Sequence, residues 1–152
     1  MKTLANTEDK AETLRRLTAI GPRSQRQWGK MTVDQMVCHL SDAFRVALNE
    51  KRPQPVSNWF SKSIMKWAAL QLPMHWPHGV STVPECEAGV GGTPPAELAR
   101  DLNELRVLLE RFSKRPRNFE YADHPMFGML TDAEWQRWGY LHMDHHLRQF
   151  GA

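Results

Sequence analysis

The chain is poor in the features that would place it outside a reducing, aqueous setting. It has only two cysteines in 152 residues, Cys38 and Cys86, too few for a disulfide framework, and Cys38 falls inside an apolar helical pattern where a thiol packs as a small hydrophobe. No apolar run approaches the roughly 18 residues a membrane-spanning helix needs, and the opening MKTLANTEDKAETLRR has neither an apolar core nor a cleavage site of a signal peptide. These absences predict a cytoplasmic protein with no membrane partner. Charge of one sign is also scarce: 20 Lys and Arg against 17 Asp and Glu give +3, too small an excess for a nucleic-acid partner. Strand-like alternation and internal repeats are missing as well. With 41% apolar and 24% charged residues, the expectation is one soluble domain over 1–152 with a core large enough to need no staple.

The apolar residues that are present repeat at helical spacing. Ala11, Leu14, Leu17 and Ile20 lead into the stop signal Gly21-Pro22 and predict a first helix over 7–20. A sharper start follows, with Thr32 as N-cap, Gln35 at the third position and Met31 with Met36 as a hydrophobic staple, and the helix runs to about Asn49. Its stripe of Val33, Met36, Val37, Leu40, Ala43, Phe44 and Ala47 has His39 on its border. A third long helix opens near Thr93-Pro94 and carries Leu98, Leu102, Leu105, Leu109 and Phe112 at four-three-four-three spacing. The fourth repeats the start of the second, with Thr131, Glu134 and the Leu130–Trp135 staple, and runs to the end of the chain. The fold class is all-α, a four-helix bundle.

Two connections stand out. Over 57–70, Trp59, Phe60, Ile64 and Trp67 lie on one side and Lys62 and Lys66 opposite, which predicts a short extra amphipathic helix. From Gln71 to Pro95 the chain concentrates five of its ten prolines and four of its nine glycines, so this long loop between helices two and three is irregular, the kind of segment that walls or lids a pocket. A basic cluster, Arg111, Lys114, Arg115 and Arg117, reads as a solvated helix end.

Histidine is abundant, with seven in the chain. His142 and His146 lie one turn apart on one helix face that also carries Trp135, Trp138 and Gln149. Imidazoles facing a tryptophan-lined interior need donors, acceptors or a cation. His39, from a helix expected to pack alongside, supplies a third ligand, and a buried three-histidine metal site and hydrogen-bonded core histidines both stand at this point. His145 competes for the site, and His124 is the best candidate for an additional base, against a structural role in its His-Pro turn. His75 and His78 fall in the long loop and are expected in solvent. Other chemistries are excluded by motif: there is no His-Glu-x-x-His, Glu-x-x-His, Cys-x-x-Cys, phosphate loop or Gly-x-Ser-x-Gly, and Cys38 and His39 diverge too far on a helix to share a reactant.

Met-Thr-Val-Asp-Gln-Met-Val-Cys-His-Leu at 31–40, His-Pro-Met-Phe-Gly-Met-Leu-Thr at 124–131 and His-Met-Asp-His-His-Leu-Arg-Gln-Phe at 142–150 together resemble the DinB/YfiT-like metalloenzyme superfamily. Within it, the Trp-Gly-Lys-Met-Thr-Val-Asp-Gln-Met stretch and the His-Pro-Met-Phe-Gly turn resemble a bacterial branch classed as a domain of unknown function. The resemblance implies a bundle holding nickel or zinc on His39, His142 and His146. It further implies metal-activated transfer of a low-molecular-weight thiol to a small electrophile, with a metal-dependent hydrolase or a non-catalytic metal- or ligand-binding stress-response bundle as alternatives. Arg148 is a candidate for holding the carboxylates of such a thiol, or a solvated helix-end cation. Monomer and homodimer are both compatible with the sequence.

Overall fold

Short polar side chains set the start of three of the five helices. In the computed structural model, which describes residues 1–79 and 83–152, the Asn6 side chain accepts from the backbone N–H of Glu8 and Asp9 and opens α1, Thr7–Thr18. Thr32 opens α2, Val33–Ala47, through a reciprocal box with Gln35, and the chain leaves the helix through Asn49 in a left-handed conformation. A π-helical turn, Ser61–Met65, leads into the short α3, Lys66–Gln71. After a 3-10 turn at Pro84–Cys86 comes α4, Leu98–Phe112, and the second box, Thr131 with Glu134, opens α5, Asp132–Gln149. No strand occurs among the described residues, so the all-α class stands, and among them no helix is long and apolar enough to cross a membrane.

The third long helix begins later than its proline suggests. Thr93 does not lead into it, because both its backbone N–H and its hydroxyl are spent on the Asp42 carboxylate, and Glu97 takes the N-cap position. Asp101, one turn inside α4, accepts from the Ala96 N–H and ties the chain before the helix to its first turn, while Glu97 makes no side-chain cap.

Helix α2 packs against both α4 and α5, and α1 packs against the same two. The shared core holds Met36, Leu40 and Phe44 from α2, Leu105, Leu109 and Phe112 from α4, and Trp135, Met143 and Leu147 from α5, all sealed from water. Each such side chain contributes on the order of 1.5–3 kcal/mol by leaving water. Gly139 lets the Phe112 ring of α4 and the Leu4 side chain pack on the α5 backbone, since a Cβ there would lie 2.7 Å from a Phe112 ring carbon and 2.9 Å from the Leu4 side chain. Leu4, before the first helix, is itself buried and donates its N–H to the Gln136 carbonyl.

The extra helix packs with the face opposite to the usual one. Lys66 pairs with Glu134 and the Lys62 stem lies over Gly128, while Trp59, Phe60, Ile64 and Trp67 are 51–76% exposed. Only Leu70 is fully inserted in the core. The basic cluster is neutralised locally: Arg111 pairs with Glu50, Arg115 with Asp132, and Arg117 with Glu120 and Asp132.

Candidate metal centre

Packing of α2 against α5 brings three histidines distant in sequence to one point. The ring centroids of His39, His142 and His146 are 5.0, 4.8 and 5.0 Å apart in the three pairs, and one ring nitrogen from each lies within 4.8 Å of the others. Nε2 of His39 and Nε2 of His142 are 3.0 Å apart.

The partners on the far side of two rings decide where their protons sit. His39 Nδ1 is 3.0 Å from the Cys86 carbonyl oxygen, which can only accept, so this nitrogen carries the proton and Nε2 keeps its lone pair. His146 Nδ1 is 2.8 Å from Gln149 Oε1, and the orientation of that amide is set because its Nε2 donates to the Trp28 carbonyl at 2.9 Å. His146 therefore also donates outward through Nδ1 and turns a lone pair inward. Gly29 makes room for this arrangement: with φ +80, it sits where a Cβ would be 2.5 Å from Gln149 Nε2. With the His39 proton on Nδ1, the short contact between His39 and His142 needs either a proton on His142 Nε2 or a cation shared by the two rings.

Burial pushes the pKa of all three imidazoles below the ordinary 6.5, His142 and His146 well below it, with repulsion from the neighbouring imidazoles adding to the effect on those two. They are neutral near pH 7, the form that binds metal. The donor set fits a divalent cation on two further counts. Two nitrogens each about 2.0–2.1 Å from one tetrahedral zinc ion stand roughly 3.3–3.4 Å apart, a little wider than the 3.0 Å of the His39–His142 pair and inside the 4.8 Å that spans all three. Outward-donating ring nitrogens held by carbonyl oxygens are the arrangement that orients metal-binding histidines.

A cavity of about 190 Å³ adjoins the three rings. Its wall is built by Ala43 and Val46 of α2, Trp135 and Trp138 of α5, the turn at His124–Phe127 and part of the long loop, namely Trp76, Pro77, Val83 and Cys86. The Trp76 ring is 5.9 Å from that of His142, so the loop walls the histidine end through Trp76, whereas His78 does not line the cavity; residues 80–82 of the predicted 71–95 stretch lie outside the described residues. No Asp, Glu, Lys or Arg lines the cavity among the described residues.

A family model described as a protein of unknown function (DUF1569) matches residues 2–152. The chain belongs to the DUF1569 family. No curated protein and no solved structure matches it.

The remaining histidines of this DUF1569 chain do not join the group that can share an ion. His124 is not built as a base: its Nδ1 accepts from the N–H of Met126 and Phe127, both at 3.2 Å, and burial pushes its pKa down to about 3. His145 lines the cavity but lies outside the group that can share an ion, and burial, with Arg148 nearby, lowers it to about 4. His75 is exposed, and His78, also exposed, stacks on Trp28 with centroids 4.1 Å apart. Arg148 is not available for a ligand, since it pairs with Asp144 at 2.9 Å and does not line the cavity. Burial disfavours the thiolate form of both cysteines, pushing Cys38 and Cys86 up to about 11, and Cys38 donates to Asp101. What sequence reasoning missed is the pair of outer partners. Gln149 was visible on the His142–His146 face, three residues after His146, whereas the Cys86 carbonyl is a backbone group and leaves no mark in sequence.

Proposed function

We propose that this DUF1569 protein is a metal-dependent enzyme of the DinB-like, four-helix type, which holds zinc or nickel on His39, His142 and His146 and transfers a low-molecular-weight thiol to a small electrophile. The observation that carries the reading is the pair of rings held by Cys86 and Gln149 with their lone pairs turned toward one point. The likeness of the 31–40, 124–131 and 142–150 stretches to the DinB/YfiT-like superfamily supports the same reading. Bound there on three neutral ligands, a divalent cation supplies Lewis acidity that lowers the pKa of a thiol or water near neutral pH.

The chain's own residues do the rest. His39, His142 and His146 bind and retain the full positive charge at the centre. Trp76, Trp138 and Phe127 give the space beside the reacting groups apolar walls, which strengthens the electrostatic interactions there. Thiol transfer is favoured over hydrolysis because the wall provides no carboxylate, and the His124 lone pair is already used by its own turn. In such a reaction a carbon–sulfur bond forms, the leaving group departs with its electron pair and the thiol proton passes to solvent.

Elemental analysis and zinc and nickel titration of untagged protein test the premise, and a panel of thiols and electrophiles tests the reaction. We expect one equivalent of metal per chain, metal-dependent thiol transfer, and loss of both in His142→Ala with helical content retained. Tight metal binding without turnover would leave the non-catalytic binder, and transfer by metal-free His142→Ala protein at the wild-type rate would refute the mechanism.

A further inference from the structure

The cavity beside the histidines has a size, a polarity and a hydrogen-bonding demand that together describe its occupant. Its volume of about 190 Å³ exceeds the roughly 150 Å³ of an engineered apolar cavity that admits benzene. Ala43, Val46, Met126, Phe127 and Trp138 give it an apolar wall, and no charged side chain lines it among the described residues, so a neutral ligand suits it.

Of the lining residues outside the triad, His124 offers the cavity a donor. His124 spends Nδ1 as an acceptor from Met126 and Phe127, so in its neutral form the proton is on Nε2, which has no partner among the described residues. The ring is fixed by stacking on Phe127 at 4.6 Å and by edge contact with Trp138 at 5.2 Å. Beside it, the Trp135 N–H also lacks an acceptor among the described residues, but it is sealed from water, so His124 Nε2 is the donor the cavity offers.

We infer that the cavity takes a neutral compound of one aromatic ring bearing a single hydrogen-bond acceptor, with the ring among Trp138, Phe127 and Met126 and the acceptor on the N–H of His124. The inference builds on the thiol-transfer reading, where this compound is the electrophile, but its binding requires only the cavity. His124 is then a substrate-binding donor that sets specificity, in place of the base suggested by its residue type.

Acetophenone and ethylbenzene, which share the phenyl ring and two-carbon chain and differ by the carbonyl oxygen, are suitable probes. Their dissociation constants are to be measured by calorimetry with metal-free protein in chelator, for wild type and His124→Asn. The asparagine Oδ1 replaces Nδ1 as acceptor in the turn and removes the Nε2 donor. We expect acetophenone binding to weaken about three- to tenfold in the variant while ethylbenzene binding is unchanged. In wild-type protein, acetophenone and not ethylbenzene should shift the 15N signal of His124 Nε2, a reading that survives even if the variant folds poorly. Equal weakening of both probes together with an unmoved signal, or no binding of either probe, would overturn the inference. A separate zinc titration of the same samples distinguishes the two ideas: probe binding without zinc binding sinks the enzyme reading alone, and zinc binding without probe binding sinks the substrate class alone.

Discussion

His39 and Asp42 stand three residues apart on α2, 5% and 1% exposed, and their surroundings answer burial in opposite ways. The Asp42 carboxylate receives Arg45 at 2.9 Å and Lys51, the Thr93 N–H and the Thr93 hydroxyl each at 2.7 Å, four donors for its roughly four acceptor sites. Nothing is left over. That cluster ties the chain after α2 and the segment before α4 to one helix, and it is complete without a ligand. At His39, His142 and His146 the protein satisfies the outer nitrogens of two rings and turns the inner ones toward a common point. A saturated buried polar group is architecture, whereas rings held at their outer nitrogens with the inner ones gathered at one point have the arrangement that suits a cation.

The largest expected effect belongs to the saturated cluster. Asp42→Ala removes the acceptor of three side chains and a backbone N–H, and should cost about 2–4 kcal/mol in urea unfolding, discounted because Arg45 and Lys51 are partly wet. The acid limb sharpens this. Burial raises the Asp42 pKa, but the bonds from Lys51 and Thr93 outweigh it and hold the carboxyl below its ordinary 3.8. The folded state therefore releases this proton more readily than the unfolded one, so the contribution is full above the ordinary value and is lost as pH falls through the depressed one. Wild-type stability should drop there more steeply than that of the variant.

Next in size is Gln149→Leu, which leaves His146 in place and removes the acceptor that orients it. Zinc affinity should fall about 10- to 100-fold, measured by competition with a chromophoric chelator. An unchanged affinity would mean that the outer partner does not prepare the ring, and the contrast with Asp42 would lose its point. The smallest effect is expected at the wet margin of the saturated cluster: Glu104, 45% exposed, pairs with Arg45, and Glu104→Gln should change stability by less than about 1 kcal/mol.

The sequence by itself determined the helices whose start signals are local. Thr32 with Gln35 and Thr131 with Glu134 satisfy orphan backbone donors within four residues, so α2 and α5 begin where the pattern places them. It also determined the one-turn spacing of His142 and His146, a property of any helix. Tertiary structure decided what depends on distant partners. Thr93 was withdrawn from the start of α4 by a carboxylate 51 positions away. The side of the π-helical turn and α3 that bears Ile64 and Trp67 faces outward, while Lys66 pairs with Glu134 and the Lys62 stem lies over Gly128. His39 meets His142 across 103 positions, and a loop carbonyl 47 residues on sets its proton. Caps and periodicities act through bonds made a few residues along the chain and can be read from composition and spacing. The direction of a ring nitrogen is set by whichever group folding brings against it, and a backbone carbonyl is the same in every residue.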